Sequence, residues 1–439
     1  MMTHRSMLRT LLVAALLALH CAWLVGPTAS VAREQPALSA ADRSFLDEVE
    51  RATFRFFADN AHPATGLVKD RNHIVGEDDR QIASIAATGF GLTALCIADE
   101  RGWLKRGEAA QRVRTTLRFL RERMPQEHGF FYHFVNWQTG EREWKCELSS
   151  IDTAILLCGV LTCRQHFRDA EIRRLAGEIY DRADWVWMLN GGKLLAHGWK
   201  PESGFLAARW DTYCEHMMLY LLAIGARQHP IPGTAWDEWK RPWFEYGGHR
   251  YLSPREPIFV HQYSHAWFDF RGKRDRHANY FENSVLAARA HRAFCASLAG
   301  RWPHFANDVW GITASDSPKG YVVWGGPPEI GPLDGSLVPS APAGSLPFLP
   351  AESIRCLRTF RDPYGALAWT RYGFADAFNP ATGWVGPDVI GINAGISLLM
   401  AENARSGFVW KTFAKNKEVR SALAKVGFRN VSGNQSAPR

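Results

Sequence analysis

Residues 209–226 read RWDTYCEHMMLYLLAIGA, and the last ten, MMLYLLAIGA, carry no charge on any face. A helix at a protein surface keeps a polar stripe, whereas one that is apolar all round has neighbours on every side. Residues 151–161, IDTAILLCGVL, have the same character after their one acid. Two such helices in a chain without a membrane-length apolar run predict an inner layer of helices walled by an outer one.

The pattern extends outward from these two. Phe45, Val49, Ala52 and Phe56 make a helical stripe, and further helices are predicted near 81–100, 107–124, 149–167, 170–189, 211–226, 276–299, 350–361, 391–405 and 416–427. Shorter ones are expected near 233–245 and 258–268. Ser150 and Asp152 supply a start signal for one helix, Asp211 for another, and Pro350 with Glu352 and Ser353 for a third. Strand-like alternation is confined to short stretches at 128–137 and 321–325. Long loops rich in Gly, Pro and Trp separate the helices, above all over 300–349, and a loop of that length in a compact domain carries function. About a dozen helices joined by alternating short and long connections predict an all-α (α/α)6 toroid with cleft-forming loops. A solenoid would show a fixed sequence period, and none is present.

The chain begins with a basic stretch and an apolar run, LLVAALLALHCAWLVG, followed by small residues at Ser30 and Ala32. That order predicts a signal peptide over 1–32 and a mature protein in the periplasm or outside the cell, with no membrane attachment after cleavage. A single domain is expected over 33–430 and a disordered tail over 431–439. The basic residues behind the net charge of +8 are scattered, which argues for solubility rather than nucleic-acid binding. The cysteines after Cys21 sit mostly in apolar helices and read as buried free thiols. Of 18 Trp, many lie beside Gly, Pro or charged residues, such as Trp137, Trp144, Trp199, Trp310, Trp324 and Trp384. Aromatic faces in a cleft are what the C–H faces of sugar rings stack upon.

Cleaving a glycosidic bond needs an acid for the leaving oxygen and a carboxylate across the sugar. Carboxylates in aromatic or apolar settings are therefore the candidates. Glu215 stands one turn inside a helix expected to be capped by Asp211, with Trp210 and Tyr213 beside it. The helix dipole would favour its charge and desolvation would raise its pKa. Glu147 precedes an apolar helix that Asp152 opens as a cap. Glu282 with Asn283, Asp316 in TASDSPKGY, and Asp376 in YGFADAFNP near Tyr372 complete the set, each with an equally good turn or cap role. HQYSH places His261 and His265 four apart around Tyr263, but no HExxH glutamate accompanies them, so no metal is expected. Nucleotide and serine-nucleophile motifs are absent, and no cofactor is implied.

Several blocks together resemble the glucoamylase-like family, which includes bacterial endo-β-1,2-glucanases: ELSSIDTAILLCG, HGWKPESGFLAARWDTYCEHMMLYLLAIG, FVHQYSHAWFDFRG, YFENSVLAARA, WGITASDSPKGY, APAGSLPFLPAESI, YGFADAFNP and IGINAGISLLMAENARSGFVWK. They run in order from about 45 to 428. The resemblance implies a toroid with a wide cleft, inverting action on a β-1,2-glucan polysaccharide or oligosaccharide without a metal, and Glu215 as general acid. Trp210, Tyr213, His261, Tyr263, His265, Asp152, Glu282, Asp316, Tyr372 and Asn393 are then the expected substrate contacts, in a monomer.

One block departs from the family. Gly-Ile-Asp-Gln-Gly-Pro is usual where this chain has GINAGI, so Asn393 replaces a carboxylate and cannot act as a base. Glu147 or Asp376 is expected to take that role, across a gap of roughly 6.5–9.5 Å that admits a water. The alternatives are a hydrolase or transglycosylase of the same fold on a cyclic, branched or other β-glucan, a lyase using Tyr and His of HQYSH, and a glycan-binding protein without turnover.

Overall fold

Gly89 and Gly159 face one another so closely that a Cβ on Gly159 would lie 2.1 Å from the Gly89 carbonyl oxygen. They sit on α2 (Ile85–Glu100) and α4 (Ser150–His166), two helices buried nearly all round. This approach starts an inner ring in the computed structural model, which describes residues 38–306 and 309–431. The ring continues through α6 (Met217–Gly225), two 3₁₀ turns (Ile258–His261 and Tyr263–Ala266), the short α8 (Ser340–Gly344) and α10 (Gly391–Arg405), which packs back on α2. Each inner segment has an outer partner. These are α3 (Glu108–Glu122) on α2, α5 (Ala170–Asp181) on α4, α11 (Lys417–Lys425) on α6, α7 (Tyr280–Ser297) on the 3₁₀ turns, α9 (Pro350–Arg361) on α8 and α1 (Ala40–Asp59) on α10. The chain is thus an (α/α)6 toroid, and the outer helices α3, α5 and α11 are amphipathic where the inner ones are not.

The inner segments run parallel, so their N-termini and the long loops before them gather at one end. Two-stranded pairings stiffen those loops. Ile82–Ser84 pairs with Phe134–Asn136, Arg71–His73 with Asp388–Ile390, and Ser315–Ser317 with Gly320–Val322.

Three expected elements differ. The helix expected over 211–226 begins at Met217, because Thr212 bridges Lys240 and the N–H of Tyr213 donates to the Lys240 carbonyl, 2.8 Å. Asp211 is therefore not its cap. The stretch 258–268 breaks at Gln262, whose buried amide donates to Ala341 O and Ser345 Oγ, 2.9 Å each. Of 233–245 only Ala235–Glu238 is helical, and Trp243–Tyr246 pairs instead with His249–Leu252. The short inner helix α8 lies within the stretch read as loop, where Pro and Gly hide it.

The leader expected over 1–32 lies outside the described residues. So does the expected tail, except Val431, whose N–H donates to Gly272 O at 2.8 Å. Among the described residues no helix is long and apolar enough to cross a membrane. The cysteines there are free thiols, Cys96 and Cys163 lying 3.5 Å apart between α2 and α4. Replacing Gly159 by Ala forces these backbones apart and is expected to cost about 1–3 kcal/mol. A thermal midpoint equal to wild type would show that the seam tolerates the shift.

Candidate active site

The turn of Cys214, Glu215 and His216 leads into α6 and is fixed from a neighbouring ring segment. Ser264 Oγ donates to the Glu215 carbonyl at 2.5 Å and accepts from the Met218 N–H at 2.9 Å. It therefore caps α6 from outside, where His216 makes no side-chain cap. The Glu215 side chain is half-buried at the cleft end. Desolvation raises its pKa to about 7, reinforced by Asp152 and Glu256 and opposed by its own N–H and the Cys214 thiol. A carboxyl poised there holds a proton near neutrality and can release it.

Glu147 and Asp152 flank the cleft end of α4. Ser149 caps that helix by accepting from the Asp152 N–H, and its hydroxyl donates to Asp152 Oδ2 at 2.5 Å. His133 stands between the two acids, with Nδ1 3.1 Å from Glu147 Oε1 and Nε2 3.6 Å from Asp152 Oδ2. Burial would lower the imidazole pKa, but Asp152 and Glu147 raise it to about 9. The His133 hydrogen bond in turn holds Glu147 down to about 2. Glu147 is thus a firmly ionised partner of an imidazolium and a weak base.

Asp376 lies in the loop before α10 and is 4 % exposed. Its Oδ2 accepts from the Asp316 N–H at 2.8 Å, and its Oδ1 from Asn393 Nδ2 at 2.7 Å. Each oxygen keeps a second lone pair. Desolvation, followed by the Asp316 charge, raises its pKa to about 7 despite the Asn393 bond. Asn393 also donates to Ala314 O at 3.2 Å, so its amide orients Asp376 rather than replacing it. Arg71 ties this region together, with Nη1 2.9 Å from Asp316 Oδ1 and Nε 2.9 Å from Asp70 Oδ2.

Tyr263 links these groups electrostatically. It is buried, and beyond the desolvation of its hydroxyl it feels Tyr321, Glu215, Asp152 and Asp376 together. Glu215, Asp152 and Asp376 from the sequence-derived set thus lie within electrostatic reach of Tyr263, with Glu147 joined to them through His133, and Asp316 and Asn393 through their bonds to Asp376.

The other members stand elsewhere, save Tyr372, which lines a small cavity together with Asp376 and Asn393. Tyr213 is sealed, its hydroxyl 3.0 Å from His261 Nδ1, and His265 Nε2 pairs with Ser284 Oγ at 3.0 Å. Burial lowers both imidazoles to about 3, so they pack as neutral buried rings. Trp210 stacks on His197 at 3.9 Å and donates to Ser150 Oγ, which makes it a wall behind the cleft. Tyr372 is buried with its hydroxyl accepting from Asn72 at 3.0 Å. Glu282 is exposed in the first turn of the outer helix α7, which belongs to the other layer.

Sequence reading missed Arg71, His133, Tyr321 and Ser264, because nothing local distinguishes a loop charge or hydroxyl that meets its partner across the ring. His73, Asp78 and Asp388 come close enough to hold a cation, but Arg80 already donates to Asp78 and Asp388. Its guanidinium supplies the positive charge there, and those donors do not form a metal centre.

The pKa shifts of Glu215 and Asp376 generate a stability prediction. Each carboxyl is raised in the folded chain, so the native state binds more protons than the unfolded one between about pH 4 and pH 7. Stability contributed by these groups is full below that window and declines as pH rises through it. Glu215→Gln and Asp376→Asn are each expected to flatten the decline, the buried Asp376 by on the order of 2–4 kcal/mol. Denaturant titration at pH 4, 5.5 and 7.5 measures it, and parallel curves for mutant and wild type would contradict the shifts.

Comparison with known proteins bears out the family resemblance. The family model described as putative glucoamylase matches residues 207–417. An exo β-1,2-glucooligosaccharide sophorohydrolase of Parabacteroides distasonis is 28% identical over 429 residues, covering 88% of this chain, which spans 58% of that relative's length. Among solved structures, an endo-β-1,2-glucanase from Chitinophaga pinensis superposes with a TM-score of 0.81 at 27% identity, over 90% of this chain and 99% of that one. A β-1,2-glucanase from Parabacteroides distasonis gives 0.79 at 26% identity, over 88% and 60%.

Proposed function

We propose that this chain is a glycoside hydrolase that cleaves β-1,2-glucan, with Glu215 as general acid and Asp376 as general base. The observation that carries the roles is the pairing of two carboxyls, each raised to a pKa of about 7, within electrostatic reach of the buried Tyr263. The endo- and exo-acting relatives support the linkage, as their names specify β-1,2-glucans. The basic and apolar leader supports export, and the free chain is read as a monomer.

In this reading the glycosidic oxygen takes the Glu215 proton as its bond to the anomeric carbon breaks. A water attacks that carbon from the opposite face and gives a proton to Asp376, so the configuration inverts. Asn393 holds Asp376 in orientation, and Asp316 with Arg71 sets the charge around it. His133 keeps Glu147 ionised as an acceptor for sugar hydroxyls. No metal takes part in the scheme.

The pH dependence of kcat/KM tests both assignments. Glu215 must be protonated and Asp376 ionised, so activity on β-1,2-glucan is expected to peak narrowly near pH 7. An acidic limb falling near pH 2 would transfer the base role to Glu147. Glu215→Gln and Asp376→Asn are each expected to lower kcat by about 10²–10⁴-fold while the circular dichroism spectrum stays native. Turnover near wild type in Glu215→Gln would end the acid assignment. The anomeric proton signal of the first products, read by NMR, checks inversion.

A further inference from the structure

Trp144 is 65% exposed, more than any other aromatic among the described large apolar residues left in solvent. Its backbone lies in the left-handed region at φ 52°, and Lys145 follows at φ 50°. Two successive side-chain-bearing residues with positive φ are strained, and a tryptophan there is a rare choice. Such a conformation persists only where the surroundings over-determine it.

The surroundings here do so. Arg142 spans the turn, donating from Nε to Cys146 O at 2.5 Å, from Nη2 to Lys145 O at 2.7 Å and from Nη1 to Glu202 at 2.6 Å. Cys146 is tied in turn to the Phe134 backbone, whose N–H lies 3.3 Å from its sulfur. The turn is therefore built to hold an indole in water, against the tendency of apolar surface to be buried.

The ring is also continuous with the catalytic cleft. Trp144 packs on Phe134 at 5.0 Å between centroids, and Phe134 stacks on His133 at 3.9 Å and 17°. His133 is the residue that bonds Glu147. The other exposed tryptophan among the described residues, Trp243, has the Arg250 guanidinium 5.0 Å from its ring centre.

We propose that Trp144 is a sugar-stacking platform at the edge of the cleft, binding a glucosyl unit of the chain outside the pair that is cut. The proposal rests on the β-glucanase reading of the same cleft. It makes Trp144 a determinant of chain-length preference, because an indole face meets the apolar C–H face of a pyranose. Short oligosaccharides that fill only the central cleft gain nothing from it. Longer chains gain one more ring contact.

The test compares wild type, Trp144→Ala and Trp144→Phe on β-1,2-linked oligosaccharides of increasing length and on the linear polymer. Trp144→Ala is expected to raise KM for the polymer roughly threefold to tenfold with kcat unchanged, and to leave the shortest cleavable oligosaccharide unaffected. Trp144→Phe is expected to recover most of the loss. Calorimetric binding of the polymer to Glu215→Gln with and without Trp144→Ala reads the same contact without turnover. Equal KM at every length overturns the proposal, and so does a uniform loss at every length, which signals a structural role. A wild type that neither binds nor cleaves the polymer overturns the functional reading itself, whereas normal cleavage with no effect of Trp144→Ala overturns this inference alone.

Discussion

The hydroxyl of Ser264 is where the ring meets the turn that carries Glu215. By donating to the Glu215 carbonyl and accepting from the Met218 amide it joins the 3₁₀ segment to the start of α6. Those two inner segments share no broad helix face, so this pair of bonds helps close the toroid between them. The same bonds decide that helical geometry begins after Glu215 rather than before it. A glutamate inside the first turn would be held by its helix dipole as an anion. One in the preceding turn, half-buried and facing Asp152 and Glu256, retains its proton instead.

The electrostatics of the cleft follow from how each carboxyl is compensated. Glu147 has an imidazolium at 3.1 Å and stays ionised. Asp376 receives only neutral donors, the Asp316 N–H and the Asn393 amide, with another carboxylate close by, and its pKa climbs. Asn393 takes on meaning in this contrast. An aspartate at that place would bring a second negative group within 2.7 Å of Asp376, and the pair would share one proton. The amide removes that competition and leaves one titrating carboxyl.

Much of the architecture was legible in the sequence because burial on all faces leaves a plain mark. MMLYLLAIGA and IDTAILLCGVL read as inner helices and are inner helices. The start of α6 was not legible, since Lys240 and Ser264, which set it, are distant in sequence. Nor was α8, five residues with a proline inside, held by the Gln262 amide. At the candidate site, residue type singled out Asp376, Asp316 and Asn393, which the structure joins by hydrogen bonds, and Glu215, whose carboxyl it desolvates. Aromatic and histidine content singled out Tyr213, His261 and His265 as well, where the structure shows buried groups bonded among themselves and to Ser284. Arg71 and His133 could not be found, as their roles arise from pairings across the ring.

The rim owes its shape to guanidinium groups. Arg71 bridges Asp70 and Asp316, Arg80 bridges Asp78 and Asp388, and Arg142 fastens its own turn to Glu202. Planar forks of this kind fix two partners at once and lose little freedom in doing so. Several loops that in another protein would be ordered by their ligand are here ordered beforehand. A guest entering such a mouth gives up its own flexibility but need not quench that of its host, so more of the contact energy remains as affinity.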